Sequence, residues 1–174
     1  AFGYTSNIDA DGEVPFHAVF RRKLASLGRL ILFDRRGTGL SDRSGLEDAN
    51  ALESGMDDIR AVMDAVGSER ALLFAVGDGG MVTVLFAASH PDRTLGLVLW
   101  NPEPRLSWSE DYPWAWTSEQ WDARAQRIEG TWGSLEHAEL ELRDAAPDVG
   151  FDRATLERVA RMFRAVASPG SAAA

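Results

Sequence analysis

The sequence predicts an α/β fold, parallel strands with flanking helices, followed by a helical region from residue 102 onward. Apolar runs without polar alternation recur at residues 29–34, 71–76 and 95–100, as expected of strands buried on both faces. Helical stripes separate them, and strand–helix–strand spacing of this length implies parallel pairing with right-handed crossovers. After Asn101 the texture changes: Trp108, Trp114, Trp116, Trp121 and Trp132 crowd together with Pro102, Pro104 and Pro113, and only helical patterns follow.

The first helix is expected over residues 15–27. Pro15 suits a first helical position, and Phe16, Val19, Phe20, Leu24 and Leu27 fall on one stripe, with Gly28 as the stop. Residues 29–34 form the first strand, and a Gly-rich turn and a polar loop follow. Met56, Ile59, Met63 and Val66 mark the second helix, closed by Gly67. After the 71–76 strand, a helix over 79–89 ends ahead of Pro91, because a residue preceding proline avoids helical geometry. In the later region, Thr117-Ser118-Glu119-Gln120 matches a capping box. It opens a helix with Trp121, Ile128 and Trp132 on one face. A polar helix follows Ser134 until Pro147. The last helix, from Asp152, aligns Leu156, Val159, Phe163 and Val166, and Ser168-Pro169-Gly170 ends the pattern. Residues 1–101 thus read as a core and 102–174 as a Trp-rich helical cap or lid.

The 174 residues suffice for about one domain. A net charge of −9 argues against nucleic acid or an anionic membrane as a partner. No apolar run approaches the ~20 residues of a membrane span. The absence of cysteine excludes disulfides and thiolate metal sites and fits a reducing, cytoplasmic setting. His17, His90 and His137 have no partner at metal-ligand spacing, and their expected roles are structural or at the surface. No metal and no cofactor are expected. Arg36-Gly37-Thr38-Gly39 lacks the glycine spacing of a phosphate cradle, so a tight turn held by Ser41 or Asp42 is expected there.

The chemistry-bearing segment is Ala75-Val76-Gly77-Asp78-Gly79-Gly80. A sharp strand-to-helix turn of the Gly-x-Ser-x-Gly kind would hold a serine oxygen clear of the sheet. Here the central position is Gly77, which has no side chain. Phe33-Asp34-Arg35-Arg36-Gly37-Thr38-Gly39-Leu40-Ser41-Asp42 resembles the Asp-x-Arg-Gly-x-Gly-x-Ser turn of α/β-hydrolases. Met56 through Gly67 with Glu69-Arg70-Ala71, His90-Pro91-Asp92-Arg93, Asp111-Tyr112-Pro113-Trp114 and Ser168-Pro169-Gly170 narrow the likeness. Together they resemble hydrolase-fold domains that stand alone or beside bacterial adenylate/guanylate cyclase and regulator domains.

That resemblance implies a partial α/β-hydrolase core. Phe2-Gly3-Tyr4 would correspond to the oxyanion loop, and the Tyr4 and Asp78 backbone amides would hold an oxyanion. The nucleophile position falls on Gly77. The family's catalytic acid and histidine would lie beyond Ala174, and its third strand, between 29–34 and 71–76 in the sheet, would precede Ala1. A sheet lacking that strand leaves backbone groups unmatched, at a cost of several kcal/mol. The chain is therefore expected to meet the remainder of its own domain or a partner chain that supplies a strand.

Three functions follow as expectations. A degenerate, non-catalytic domain would bind a small apolar or acyl/carboxylate ligand, with Trp108, Trp114, Trp116 and Trp121 lining the pocket, as in a sensor. An active esterase- or dehalogenase/epoxide-hydrolase-like enzyme would use Asp78 as a shifted nucleophile, or residues outside this chain. Alternatively, the cap or exposed strand edges form a protein-interaction module.

Overall fold

The computed structural model describes residues 7–42 and 52–173. In chain order the elements are helix α1 (Ile8–Asp11), α2 (Pro15–Ala25), α3 (Leu52–Ala65), strand β1 (Ala71–Val76), α4 (Gly79–Ser89), a 3-10 turn (Pro91–Arg93) and β2 (Thr94–Trp100). Helices α5 (Ser118–Thr131), α6 (Leu135–Ala145), α7 (Arg153–Val166) and α8 (Pro169–Ala173) follow. The described residues form two compact units, one within Phe33–Trp121 and the other from Asn7–Leu32 with Asp122–Ala174.

In the first unit β1 and β2 pair in parallel, Leu73 beside Leu97 and Val76 beside Trp100. The crossover between them is α4, so the expected strand–helix–strand order holds here. One sheet face meets a core of Ile59 and Met63 from α3 and Phe86 from α4, with Ala71, Leu73 and Phe33 packed against it. Alternation sends Leu72, Phe74 and Val76 to the other face, with their register partners Gly96, Val98 and Trp100. Leu72, Val98 and Trp100 are exposed there. Helix α3 ends as expected at Gly67, where Gly67 N–H donates to the Asp64 carbonyl and Ser68 N–H to that of Met63. That pair of bonds is a Schellman closure.

Residues 29–34 depart from expectation. They form no strand, and among the described residues the sheet contains β1 and β2 alone. An apolar run suits a strand, but a strand exists only with a ladder to join, and β1 does not pair directly with this run.

In the first unit the capping box at the start of α5 closes in both directions: Thr117 N–H donates to Gln120 Oε1 at 2.9 Å, and Gln120 N–H to Thr117 Oγ1 at 3.3 Å. The second unit is held by caps and aromatic packing. Ser134 Oγ accepts from His137 N–H at the start of α6, and Asp152 Oδ1 from Thr155 N–H at the start of α7. The α7 stripe buries Val159, Phe163 and Val166 as the spacing requires. Trp132 donates its indole N–H to the Ala167 carbonyl at 2.9 Å. Helix α1 joins this core through Asn7, whose amide donates to Ala165 O at 3.0 Å while its Oδ1 accepts from Ala10 N–H.

Other boundaries shift. Helix α2 stops at Ala25 with Ser26 as its cap, short of Gly28, and leaves Phe16 and Val19 exposed. Ser168-Pro169-Gly170 opens the short α8 instead of ending the regular structure.

Candidate functional site at a strand-to-helix elbow

The elbow forms where the sequence places it. Strand β1 ends at Val76, Gly77 turns the chain, and α4 starts at Gly79. Gly77 has φ +56°, in the left-handed region that a residue with a Cβ enters only at a cost. Its N–H donates to the Trp100 carbonyl at 3.1 Å, extending the β1–β2 ladder. Its carbonyl accepts from Gly80 N–H at 3.0 Å and from Glu103 N–H at 3.4 Å. The backbone of the turn is therefore pinned from three sides. Among the described residues, a Cβ on Gly77 would meet no heavy atom within 4 Å outside its chain neighbours. The turn at Gly77 is shaped and carries no side chain.

The glycines beside it have a different role. Gly79 and Gly80 are buried, and a Cβ on Gly80 would stand 2.9 Å from Pro102 Cβ. Close approach of α4 to the segment leaving β2 thus needs a glycine there. Asn101, immediately before that proline, is a non-glycine residue at positive φ (+48°). Asparagine tolerates this region better than most residues. The segment carrying the tryptophans is in this way fastened at its root to the elbow, by Pro102 and Glu103.

Asp78 occupies the N-cap position of α4, with no capping bond from its side chain. Arg35 Nη1 lies 3.0 Å from Asp78 Oδ2, both side chains being partly buried. Arg35 directly follows the apolar run in the sequence, which alone does not name Asp78 as its partner. The turn itself is tight, as expected. Ser41 Oγ donates to Asp34 O at 2.6 Å, Leu40 N–H to the buried Asp34 carboxylate at 3.0 Å, and Gly37 N–H to Asp42 O at 2.8 Å. Arg36 next to it makes a forked pair with Asp58 on α3.

The four expected pocket tryptophans gather only in part. Trp116 and Trp121 are in ring contact at 4.9 Å between centroids, and Trp121 Nε1 donates to Leu106 O at 2.9 Å. Trp108 joins them through its N–H to the Trp116 carbonyl at 3.0 Å. Trp114 instead packs on Tyr112 and remains 71% exposed. Tyr4, the other expected oxyanion donor, lies outside the described residues. Among the described residues no group of three His, Asp or Glu side chains gathers as a metal site, and no helix is long and apolar enough to cross a membrane.

Of the two places expected for His137, surface or interior, the structure gives the interior. It is fully buried, with its ring 4.9 Å from Trp132 and 4.7 Å from Phe163. Burial pushes its pKa below the ordinary histidine value, Arg124 and Arg127 reinforce this, and Glu141 opposes it.

A search of curated protein sequences finds no match. Among solved structures, the chain is similar to a carboxylesterase of the ammonia-oxidizing thaumarchaeon Nitrososphaera gargenis, at 20% identity and a TM-score of 0.68. The match covers 99% of this chain and 59% of the other. It is similar also to a hydrolase from Oleispira antarctica, at 15% identity and a TM-score of 0.71, covering 99% of this chain and 60% of that one. The chain therefore spans about three fifths of the length of these solved relatives, and at such identities the likeness concerns the fold. The family model described as alpha/beta hydrolase fold matches residues 16–171, nearly the whole sequence. With its strand–elbow–helix turn and parallel β1–α4–β2 unit, the chain belongs to the α/β-hydrolase fold family.

Proposed function

We propose that this chain is a degenerate member of its family, a hydrolase-fold domain that binds a small apolar, acyl or carboxylate-bearing ligand without cleaving it. One observation carries the reading: the elbow keeps its left-handed turn and open space, yet Gly77 offers no attacking atom. Trp108, Trp116 and Trp121 would supply apolar wall, with Trp114 closing over it. Backbone N–H groups of Asp78 and Tyr4 would meet the ligand's carbonyl or carboxylate oxygen. Such a domain suits sensing in the cytoplasm, within a larger protein of the cyclase-associated subgroup or with a partner that completes its sheet.

The rescue nucleophile is disfavoured by a specific contact. A carboxylate that attacks carbon must be free to approach it, and Arg35 holds Asp78 in a charge-assisted bond. The interaction-module reading draws support from the exposure of Trp114 and of the outer sheet face.

The test is calorimetric titration of the full chain with octanoate, alongside Asp78→Asn and Trp121→Ala variants. Saturable binding that survives Asp78→Asn and weakens in Trp121→Ala is expected. Absence of binding, together with a concentration-dependent dimer, would favour the interaction module instead.

A further inference from the structure

We propose that His137 is an acid-sensitive latch of the second unit: neutral, it locks the α5–α6–α7 packing, and on protonation it releases that packing. The inference does not depend on the ligand-binding reading. The histidine side chain is wholly removed from solvent, and neither Nδ1 nor Nε2 has a hydrogen-bond partner among the described residues. Its walls are aromatic. Trp132 lies on one side, and Phe163 of α7 meets it edge-on at 71°. Trp132 and Phe163 are themselves in contact at 5.0 Å, so the three rings form one closed cluster.

A neutral imidazole fits this box as a flat, mostly apolar ring. An imidazolium has two N–H donors and a charge to satisfy, and such a box supplies nothing for either. The charged neighbours do not compensate. From α5, Arg124 and Arg127 present two cations. On α6 the sole anion acting on it is Glu141, already ion-paired with Arg124 at 3.3 Å. From α7, Arg164 holds the Gly133 carbonyl in the turn that enters α6. His137 also sits in the first turn of α6, where its own backbone N–H is held by Ser134, and the helix dipole there disfavours positive charge.

The sign follows directly. A histidine whose folded-state pKa is lowered binds fewer protons folded than unfolded, so its contribution is complete above the unfolded value near 6.5. That stability is lost as pH falls from there toward the lowered folded value. The cost reaches the packing first at Trp132, whose indole N–H is tied to Ala167 at the end of α7.

The experiment is urea unfolding of the full chain from pH 8 to pH 5, followed by tryptophan emission, for wild type and His137→Phe. The wild-type midpoint is expected to fall below about pH 6.5 with a red shift of emission, and His137→Phe to flatten that slope. Because the variant can fail to fold, hydrogen–deuterium exchange at the imidazole C2 position of the wild type is measured across the same range, with His17→Asn and His90→Asn for assignment. Slow exchange at His137 with a midpoint displaced to acid supports the latch. An ordinary midpoint, or a wild-type urea midpoint constant down to pH 5, overturns it.

Discussion

At Gly77 the backbone and the side chain give opposite messages, and two substitutions separate them. The position has room for a Cβ but an unfavourable φ for one. Gly77→Ala should therefore cost about 1 kcal/mol, the price of the left-handed conformation alone. Gly80 reverses the situation, since its Cβ would press on Pro102. Gly80→Ala should cost about 1–3 kcal/mol through displaced packing. Urea denaturation of the two variants checks the pair, and equal losses would contradict the distinction. Arg35→Ala removes the partner of Asp78 and should lower stability by about 1 kcal/mol, as for a partly exposed ion pair. The glycine pattern around the elbow was readable from the sequence, because tight turns leave a local signature. Arg35 was not, because its partner is 43 positions away in the chain.

The same divide between local and distant causes governs the elements. The capping box at Thr117, the caps at Ser134 and Asp152 and the apolar stripe of α7 are all written within a few residues, and all appear in the structure. Ser134→Ala should cost about 1 kcal/mol by leaving the first turn of α6 without its acceptor. Phe163→Ala should cost about 3–5 kcal/mol, since the ring is buried in the cluster with Trp132 and His137. Thermal unfolding measures both, and the order of the two losses is itself the prediction. Residues 29–34 show the limit of such reading: their composition suits a strand, but strand formation is decided by a neighbour elsewhere in the chain. His137 shows it too, for the aromatic partner on α7 is unrelated to the pattern of α6.

Across the whole molecule, charge and fold act on different scales. The net charge of −9 bears on partners and solubility and leaves the fold undetermined. Acid should act in two stages. The first, below about pH 6.5, belongs to His137. The second belongs to carboxylates such as Asp152, held below the usual range by its bond from Thr155; its contribution is present above about pH 3.9 and disappears as pH falls through the lowered value. Circular dichroism across a pH series should resolve these stages in order.

Family membership was legible from the turn at residues 33–42 and the elbow, and the match over residues 16–171 agrees with it. The proposed loss of catalysis is argued from the empty position at Gly77. The most direct test is p-nitrophenol release from p-nitrophenyl butyrate by the full chain at neutral pH. No release above the buffer rate is the outcome that the proposed reading predicts; enzyme-dependent release abolished by Asp78→Asn would contradict the account.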